Sequence, residues 1–181
     1  MLTTTEKERL RQIAWQSIKH GFANGHSKLA HTHLAALERP GASFITLLKQ
    51  GDLRGCIGTL EAHEPLAQNV ANNAYNAAFH DPRFAPLSEQ EIGQIEFQIS
   101  VLSHPEPLQV NSQSDVLAQL QPGIDGVVFQ DGTHKSTFLP QVWDQLTTPE
   151  AFMAQLKQKA GLPANHWSAN VRILRYTVDK F

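Results

Sequence analysis

The order of predicted strands and helices constrains the fold of this chain more than any other feature. ASFITLLKQGDLRGCIGTL, residues 42–60, predicts two β-prone runs joined by a turn at Gln50, Gly51 and Asp52. GVVFQDG and STFLPQV predict a second hairpin with its turn at Gly132. Because strands joined by hairpins are antiparallel, and helices do not alternate regularly with strands, the sequence predicts an α+β fold. Its sheet is mainly antiparallel and flanked by helices.

Helices and further strands are predicted from capping residues and apolar spacing. In the first helix, Thr5 and Glu8 form a capping box, and an apolar stripe ends before Gly21. Further helices are predicted over 65–79, after a capping box at 88–91, over 115–120 and over 148–161. IEFQISVL and VRILRYTV predict two more strands, and the first of them alternates apolar and polar residues.

Composition excludes several classes of protein. A length of 181 residues suits a single domain, with or without a smaller lobe. A net charge of -2 gives no sign of the excess positive charge that attracts nucleic acid or a membrane surface. A single cysteine excludes an internal disulfide and a multi-thiolate zinc site. The charged N-terminus does not match a signal peptide, and no apolar run is long enough for a membrane span, so we expect a cytoplasmic protein.

Cys56 is the first candidate for chemistry, because it lies in the stretch DLRGCIGTLE between two glycines. The guanidinium of Arg54 would stabilise a thiolate at this position, and the amides around Gly55 and Gly58 would bind an oxyanion. The alternative is a small buried thiol that fills space beside the glycines, since free cysteines are among the most buried residues.

The segment HDPRF supplies three further candidates. His80 and Asp81 have the residue types of a base and its orienting group, which with Cys56 would make a Cys-His-Asp arrangement. The alternative makes Asp81 a loop former before Pro82 and His80 a residue that complements the helix dipole. Arg83 is stiffened by its neighbours and points at an anion, or else forms a structural ion pair.

Metal, nucleotide and nucleic-acid sites are not expected. His26, His31 and His33 lack nearby carboxylates and a helical i, i+4 pair, so no metal site is predicted there. GCIG is a bare G-x-x-G in a strand without basic flanks, which argues against RNA binding. The sequence has no Walker pattern and no G-x-G-x-x-G fingerprint, and it indicates no particular cofactor.

Five motifs together resemble one family: LRGCIGTLE, NAAFHDPRF, FLPQVW, KAGLP and WSANVRILRYTV. They are similar to the AMMECR domain proteins, also called AmmeMemoRadiSam system protein A, over nearly the whole chain. The resemblance implies an α+β fold with a larger and a smaller lobe, and a functional site at LRGCIG. It implies no established reaction. Such proteins are often encoded with a Memo-type protein and a radical SAM protein, which implies a shared pathway and possible partners.

Two functional hypotheses follow from these residues. The first is a cytoplasmic enzyme, or enzyme-like subunit, that acts on a small anionic ligand in a cleft at LRGCIG and DPRF. Cys56 would be its nucleophile or attachment point, Arg54 and Arg83 would bind the anion, and His80 would be the base that Asp81 supports. The second is a non-catalytic module that presents LRGCIG to a protein partner or RNA. The exposure of the Cys56 sulfur discriminates between them.

Overall fold

A computed structural model describes residues 2–181, which divide into two compact units. The first unit contains the chain up to Leu102 together with Asp179–Phe181, and the second contains Ser103–Val178. Both units combine helices with an antiparallel sheet, which confirms the predicted α+β fold. That residues 1–181 form a single domain stays a prediction.

The elements are named in chain order. The helices are α1 (Thr4–Asn24), α2 (Leu66–Phe79), α3 (Gln113–Gln119) and α4 (Pro149–Lys159), with 3-10 turns at Glu89–Gln94 and Pro140–Asp144. The strands are β1 (Ala42–Lys49), β2 (Asp52–Gly58), β3 (Ile95–Leu102), β4 (Glu106–Pro107), β5 (Gly126–Asp131), β6 (His134–Phe138), β7 (Arg172–Tyr176) and β8 (Val178–Lys180).

The sheet of the first unit has the strand order β2-β1-β3-β8, so that β2 lies at an edge. The predicted hairpin joins β1 and β2, and its two turn residues, Gln50 and Gly51, both have positive φ angles. This matches the turn geometry that continues the twist of paired strands. Residues Ile45 and Leu47 of β1 and Ile99 of β3 are fully buried in the core that the sheet shares with α1 and α2.

The start and end of α1 differ from the prediction. The capping box is formed by Thr3 and Glu6, not by Thr5 and Glu8, and the helix continues past Gly21 to Asn24. Gly21 is retained inside the helix because the rings of Tyr75 and Phe79 occupy the space that a Cβ would need. The helix ends where Gly25 adopts the left-handed conformation.

The second unit has the strand order β4-β7-β5-β6, and the hairpin predicted around Gly132 joins β5 and β6. Its core includes Phe129, Phe152 and Trp143, and the last two rings are stacked with centroids 3.9 Å apart. Thr148 caps α4 as predicted. Within residues 2–181 no helix has the length and apolar character needed to cross a membrane.

Candidate functional site

The candidate site consists of residues 53–58 on β2 and residues 81–84 after α2, and is called here the LRGCIG/DPRF edge. Gly55 is buried against α2, where a Cβ would collide with the carbonyl oxygen of Ala77. Because successive residues of a strand face opposite sides, Cys56 lies on the sheet face away from α2. Cys56 as a residue is half-buried, and its Sγ is 3.3 Å from the hydroxyl of the cross-strand Thr46.

The peptide of Cys56 is held by side chains of the DPRF segment. Its N–H donates to Asp81 Oδ2 at 2.8 Å, and its carbonyl accepts from Arg83 Nη2 at 3.3 Å. Asp81 and Arg83 are joined directly, with Arg83 Nε 2.9 Å from Oδ1 and Nη2 2.7 Å from Oδ2. An edge strand otherwise leaves outward N–H and C=O groups without a strand partner. The carboxylate and guanidinium therefore replace a neighbouring strand at Cys56.

The side chains of Asp81 and Arg83 differ in their exposure to solvent. The Asp81 side chain is 2% exposed, whereas that of Arg83 is 53% exposed. Hydrogen bonding from Arg83 is the largest cause that holds the pKa of Asp81 well below its usual range, and the Cys56 N–H adds to it against the opposing effect of burial. The same hydrogen bond raises the pKa of Arg83. The result is a fixed cation that still faces solvent beside Cys56.

Arg54 was predicted to assist the thiol and to bind the anion, but its guanidinium pairs with Glu91. Nε lies 3.0 Å from Oε1 and Nη2 lies 3.1 Å from Oε2, and Lys49 Nζ lies 3.0 Å from the same Oε1. Hydrogen bonding from Arg54 is the largest cause that lowers the pKa of Glu91. Both arginines are paired with a carboxylate, but the side chain of Arg54 is only 14% exposed and that of Arg83 is 53% exposed, so Arg54 is less suited than Arg83 to meet an anion from solvent.

The predicted Cys-His-Asp arrangement is not formed. Asp81 Oδ1 accepts the N–H of Arg83 at 3.1 Å, and this turn directs the carboxylate at β2 instead of at the ring of His80. His80 is exposed at the C-terminal end of α2, as predicted, and its Nε2 lies 3.2 Å from Tyr75 Oη. The support of His80 by Asp81 was therefore a wrong prediction, and a role of His80 as base stays a prediction.

The two glycines of LRGCIG allow close packing. A Cβ on Gly58 would collide with the ring of Phe44, as one on Gly55 would with α2. Neither glycine is among the residues with positive φ, so these positions require close packing and no unusual φ. A β-bulge lies at Arg54, because Leu53 and Gly55 pair with adjacent residues of β1 and leave Arg54 without a partner. The Cys56 amide, which was predicted to help bind an oxyanion, is occupied by Asp81.

Thr46 and Glu91 are the site residues that sequence reasoning missed. Counting residues back from the turn would have placed Ile45 opposite Cys56, and only the register shift at the bulge brings Thr46 there. Glu91 was recognised only as part of a capping box with Ser88, which it does form. Its pairing with Arg54 joins residues far apart in sequence and had no local signal. Across residues 2–181, no group of three or more His, Cys, Asp or Glu side chains is placed to hold a metal ion.

The fold and site define an α+β protein with one half-buried cysteine on a clamped edge strand. The AMMECR1 family profile matches residues 11–181, and the chain belongs to this family. A protein from Saccharolobus islandicus is 38% identical over 178 residues, which cover 92% of this chain and 77% of that protein. One from Methanothermobacter thermautotrophicus is 38% identical over 144 residues, covering 76% and 73% of the two chains.

The fold is also similar to a solved structure, that of the uncharacterised protein PH0010 from Pyrococcus horikoshii. The TM-score is 0.80 at 26% sequence identity, and the match covers 94% of this chain and 88% of the other. None of these relatives has a name that states an activity. The family and the fold are therefore known, and the chemistry has to be inferred from the site.

Proposed function

We propose that the LRGCIG/DPRF edge binds a small anionic ligand through Arg83, next to the thiol of Cys56. One observation carries this proposal: Arg83, whose side chain is half-exposed, donates a hydrogen bond from its guanidinium to the carbonyl of the residue that bears the thiol. A guanidinium with free N–H donors suits a carboxylate or phosphate group. The ligand is then held within reach of the only thiol in the chain.

The proposed function is that of a cytoplasmic enzyme, or an enzyme-like subunit, in a pathway shared with Memo-type and radical SAM proteins. Cys56 acts as nucleophile or as covalent attachment point, and Arg83 supplies the positive charge. Asp81 acts through Arg83 and through the Cys56 peptide, so it is a positioning residue. Support for this positioning role comes from the hydrogen bonds that Asp81 accepts from Arg83 and from the Cys56 amide and from its low exposure.

Charge-selective alkylation tests the proposal. Iodoacetate and iodoacetamide attack the same thiol, but only iodoacetate carries a negative charge. We expect the ratio of iodoacetate to iodoacetamide rates at Cys56 to be several-fold higher in the native protein than in the urea-unfolded protein. Arg83→Gln should reduce this ratio, and Arg11→Gln, which removes an exposed arginine of α1, should leave it unchanged. Intact-mass measurement follows both reactions.

Equal ratios in the native and unfolded protein would contradict an anion site at Arg83. Protection of Cys56 from both reagents until the protein unfolds would contradict a functional thiol altogether. A circular dichroism melt of each variant shows whether the fold is retained. If Arg83→Gln unfolds, the comparison of native with unfolded wild type still decides the proposal.

A second candidate function is a non-catalytic module that binds a protein partner through the same edge. Two exposed leucines near the ends of LRGCIG favour it, since Leu53 is 43% and Leu60 is 39% exposed. Calorimetry with purified Memo-type and radical SAM proteins tests this candidate. Leu53→Ser with Leu60→Ser should abolish binding, whereas Ile124→Ser, at another exposed apolar residue, should not. Absence of binding by wild type to either protein would contradict it for these partners.

A further inference from the structure

A cavity outside the LRGCIG/DPRF edge lies where α1, α2 and the segment 28–31 meet. Its volume is about 180 Å³. The residues that matter for its chemistry are two cations and four apolar side chains: Arg9, Lys28, Ile13, Leu29, Ala30 and Ala71. None of them belongs to the proposed thiol site.

The segment that closes this cavity is fixed by hydrogen bonds to both helices. The N–H of Lys28 donates to Ser17 Oγ at 3.2 Å, and the buried Ser17 hydroxyl donates to the carbonyl of Ala71 at 2.7 Å. The N–H of Ala30 donates to Gln68 Oε1 at 2.9 Å. A ligand would therefore meet a cavity that is already formed, and binding would not have to order this segment.

The two cations at the cavity have no acidic partner. Arg9 donates to the carbonyl of His31 at 2.7 Å and to Gln12 Oε1 at 3.4 Å, both of which are neutral acceptors. Lys28 Nζ reaches only Gln16 Oε1, at 3.5 Å. Within residues 2–181 neither cation forms an ion pair, although Glu8 lines a neighbouring depression that Arg9 shares. The cavity therefore has an uncompensated positive charge.

The other side chains of the cavity are apolar. Ile13 and Ala71 are buried, with 4% and 1% exposure, and belong to the core of the first unit. Leu29 is 73% exposed, more than any other large hydrophobic residue among residues 2–181. A ligand with an apolar group would remove the surface of Leu29 from water, which is favourable.

We propose that this cavity binds a small organic anion, a carboxylate with a short alkyl chain. The carboxylate lies at Arg9 and Lys28, and the chain contacts Ile13, Leu29 and Ala71. At about 180 Å³ the cavity has room for on the order of six water-sized groups, which suits a chain of about four to six carbons. The proposal is independent of the thiol chemistry proposed for Cys56.

Nuclear magnetic resonance titration of the ¹⁵N-labelled full chain tests this proposal, with hexanoate as the probe. We expect saturable shifts of the amide signals of Ile13, Ala30, His31 and Ala71. Hexan-1-ol has the chain without the charge, and inorganic phosphate has charge without the chain, so each should bind at least tenfold more weakly. Absence of saturable shifts with hexanoate, or equal binding of either comparison compound, would overturn the proposal.

Variants of the cavity residues test whether hexanoate binds at this cavity. Arg9→Gln with Lys28→Gln should weaken hexanoate binding at least tenfold, while the charge-matched pair Arg11→Gln with Lys19→Gln, elsewhere on α1, should not. If the loss of the Arg9 bond to His31 unfolds the segment, Lys28→Gln alone and Leu29→Ser alone should each still weaken binding several-fold. Unchanged affinity in the folded cavity variants would also overturn the proposal.

Discussion

At the scale of single residues, Asp81 explains why the two motifs of the site lie together. A buried carboxylate is costly unless it is paired and hydrogen-bonded, and Asp81 accepts from Arg83 and from the Cys56 amide. Those same bonds fix the peptide that carries the thiol. Asp81 therefore acts on the geometry of Cys56 and Arg83, and the DPRF sequence has a structural purpose whether or not the thiol reacts.

Gly55 gives a prediction at the same scale. A Cβ at this position collides with the backbone carbonyl of Ala77, which cannot rotate away as a side chain can. Gly55→Ala should therefore lower the free energy of unfolding by about 1–3 kcal/mol, the range typical of overpacking. Gly93→Ala is the control, because a Cβ there meets nothing within 4 Å. Urea unfolding measures both, and equal stability of the two variants would contradict the proposed close packing.

At the scale of elements, Glu91 joins β1, β2 and the 3-10 turn Glu89–Gln94. It accepts from Lys49 and Arg54 and also caps the turn through Ser88. A bidentate guanidinium pair with little exposure is stronger than a solvated one. This carboxylate therefore ties the bulge of β2 to the segment that leads into β3.

The pH dependence of stability tests this connection. The pKa of Glu91 is lower in the folded protein than its ordinary value of 4.5, so its stabilisation is full above pH 4.5. It is then lost progressively as the pH falls towards the folded pKa. Glu91→Gln should be less stable than wild type at pH 7, and this difference should shrink below pH 4.5. Thermal melts from pH 7 to pH 2.5 measure it, with the exposed Glu38→Gln as control. A constant difference at all pH values would contradict the ion-pair account.

Local patterns predicted the elements better than the contacts between them. The hairpin of β1 and β2 followed from residues within one segment, and so did the capping box of Ser88 and Glu91. The predicted capping box of the first helix was wrong by two residues, because TTTEKE contains two matches to the capping pattern, at Thr3 and at Thr5. The structure uses Thr3, and next to it the N–H of Leu2 donates to Asp179, a contact that no local pattern shows.

The same limit applies to the site. The sequence pointed to Cys56, Asp81 and Arg83, and the structure brings these three together. The sequence did not show which of their atoms are in contact, because Cys56 and Asp81 are separated by a whole helix. Arg54 was assigned to the thiol because it is close to Cys56 in sequence. In the structure it lies in the bulge of β2, and its guanidinium pairs with Glu91. Adjacency in sequence was a poor guide where a strand is irregular.

At the scale of the whole molecule, residues 2–181 contain two separate hydrophobic cores. One is built from α1, α2 and the sheet of the first unit, and the other from β5, β7 and α4 of the second unit. Asp179–Phe181 belongs to the first unit although it follows the second in sequence, and Phe181 exchanges backbone hydrogen bonds with Ile99.

Separate cores predict additive effects of core substitutions. Ile45 and Ile173 are buried in different cores, with 0% and 1% exposure. Ile45→Val and Ile173→Val should each cost about 0.5–1.5 kcal/mol. The double variant should match their sum within about 0.5 kcal/mol, as expected for sites without shared partners. Urea unfolding of all three variants measures this, and a larger coupling energy would contradict the separation of the cores.

Hydrogen exchange at the Cys56 amide tests the central claim, that Asp81 holds this peptide in place. The Cys56 N–H has a side-chain acceptor at 2.8 Å, so its exchange should be slow in the wild type. Asp81→Ala should speed it at least tenfold relative to the Ile99 amide, which bonds to Phe181 in the same unit. Glu38→Ala, which removes an exposed carboxylate of the same unit, should leave the ratio unchanged. A Cys56 amide that exchanges as fast as an unstructured peptide in the wild type, or that ignores Asp81→Ala, would contradict the account.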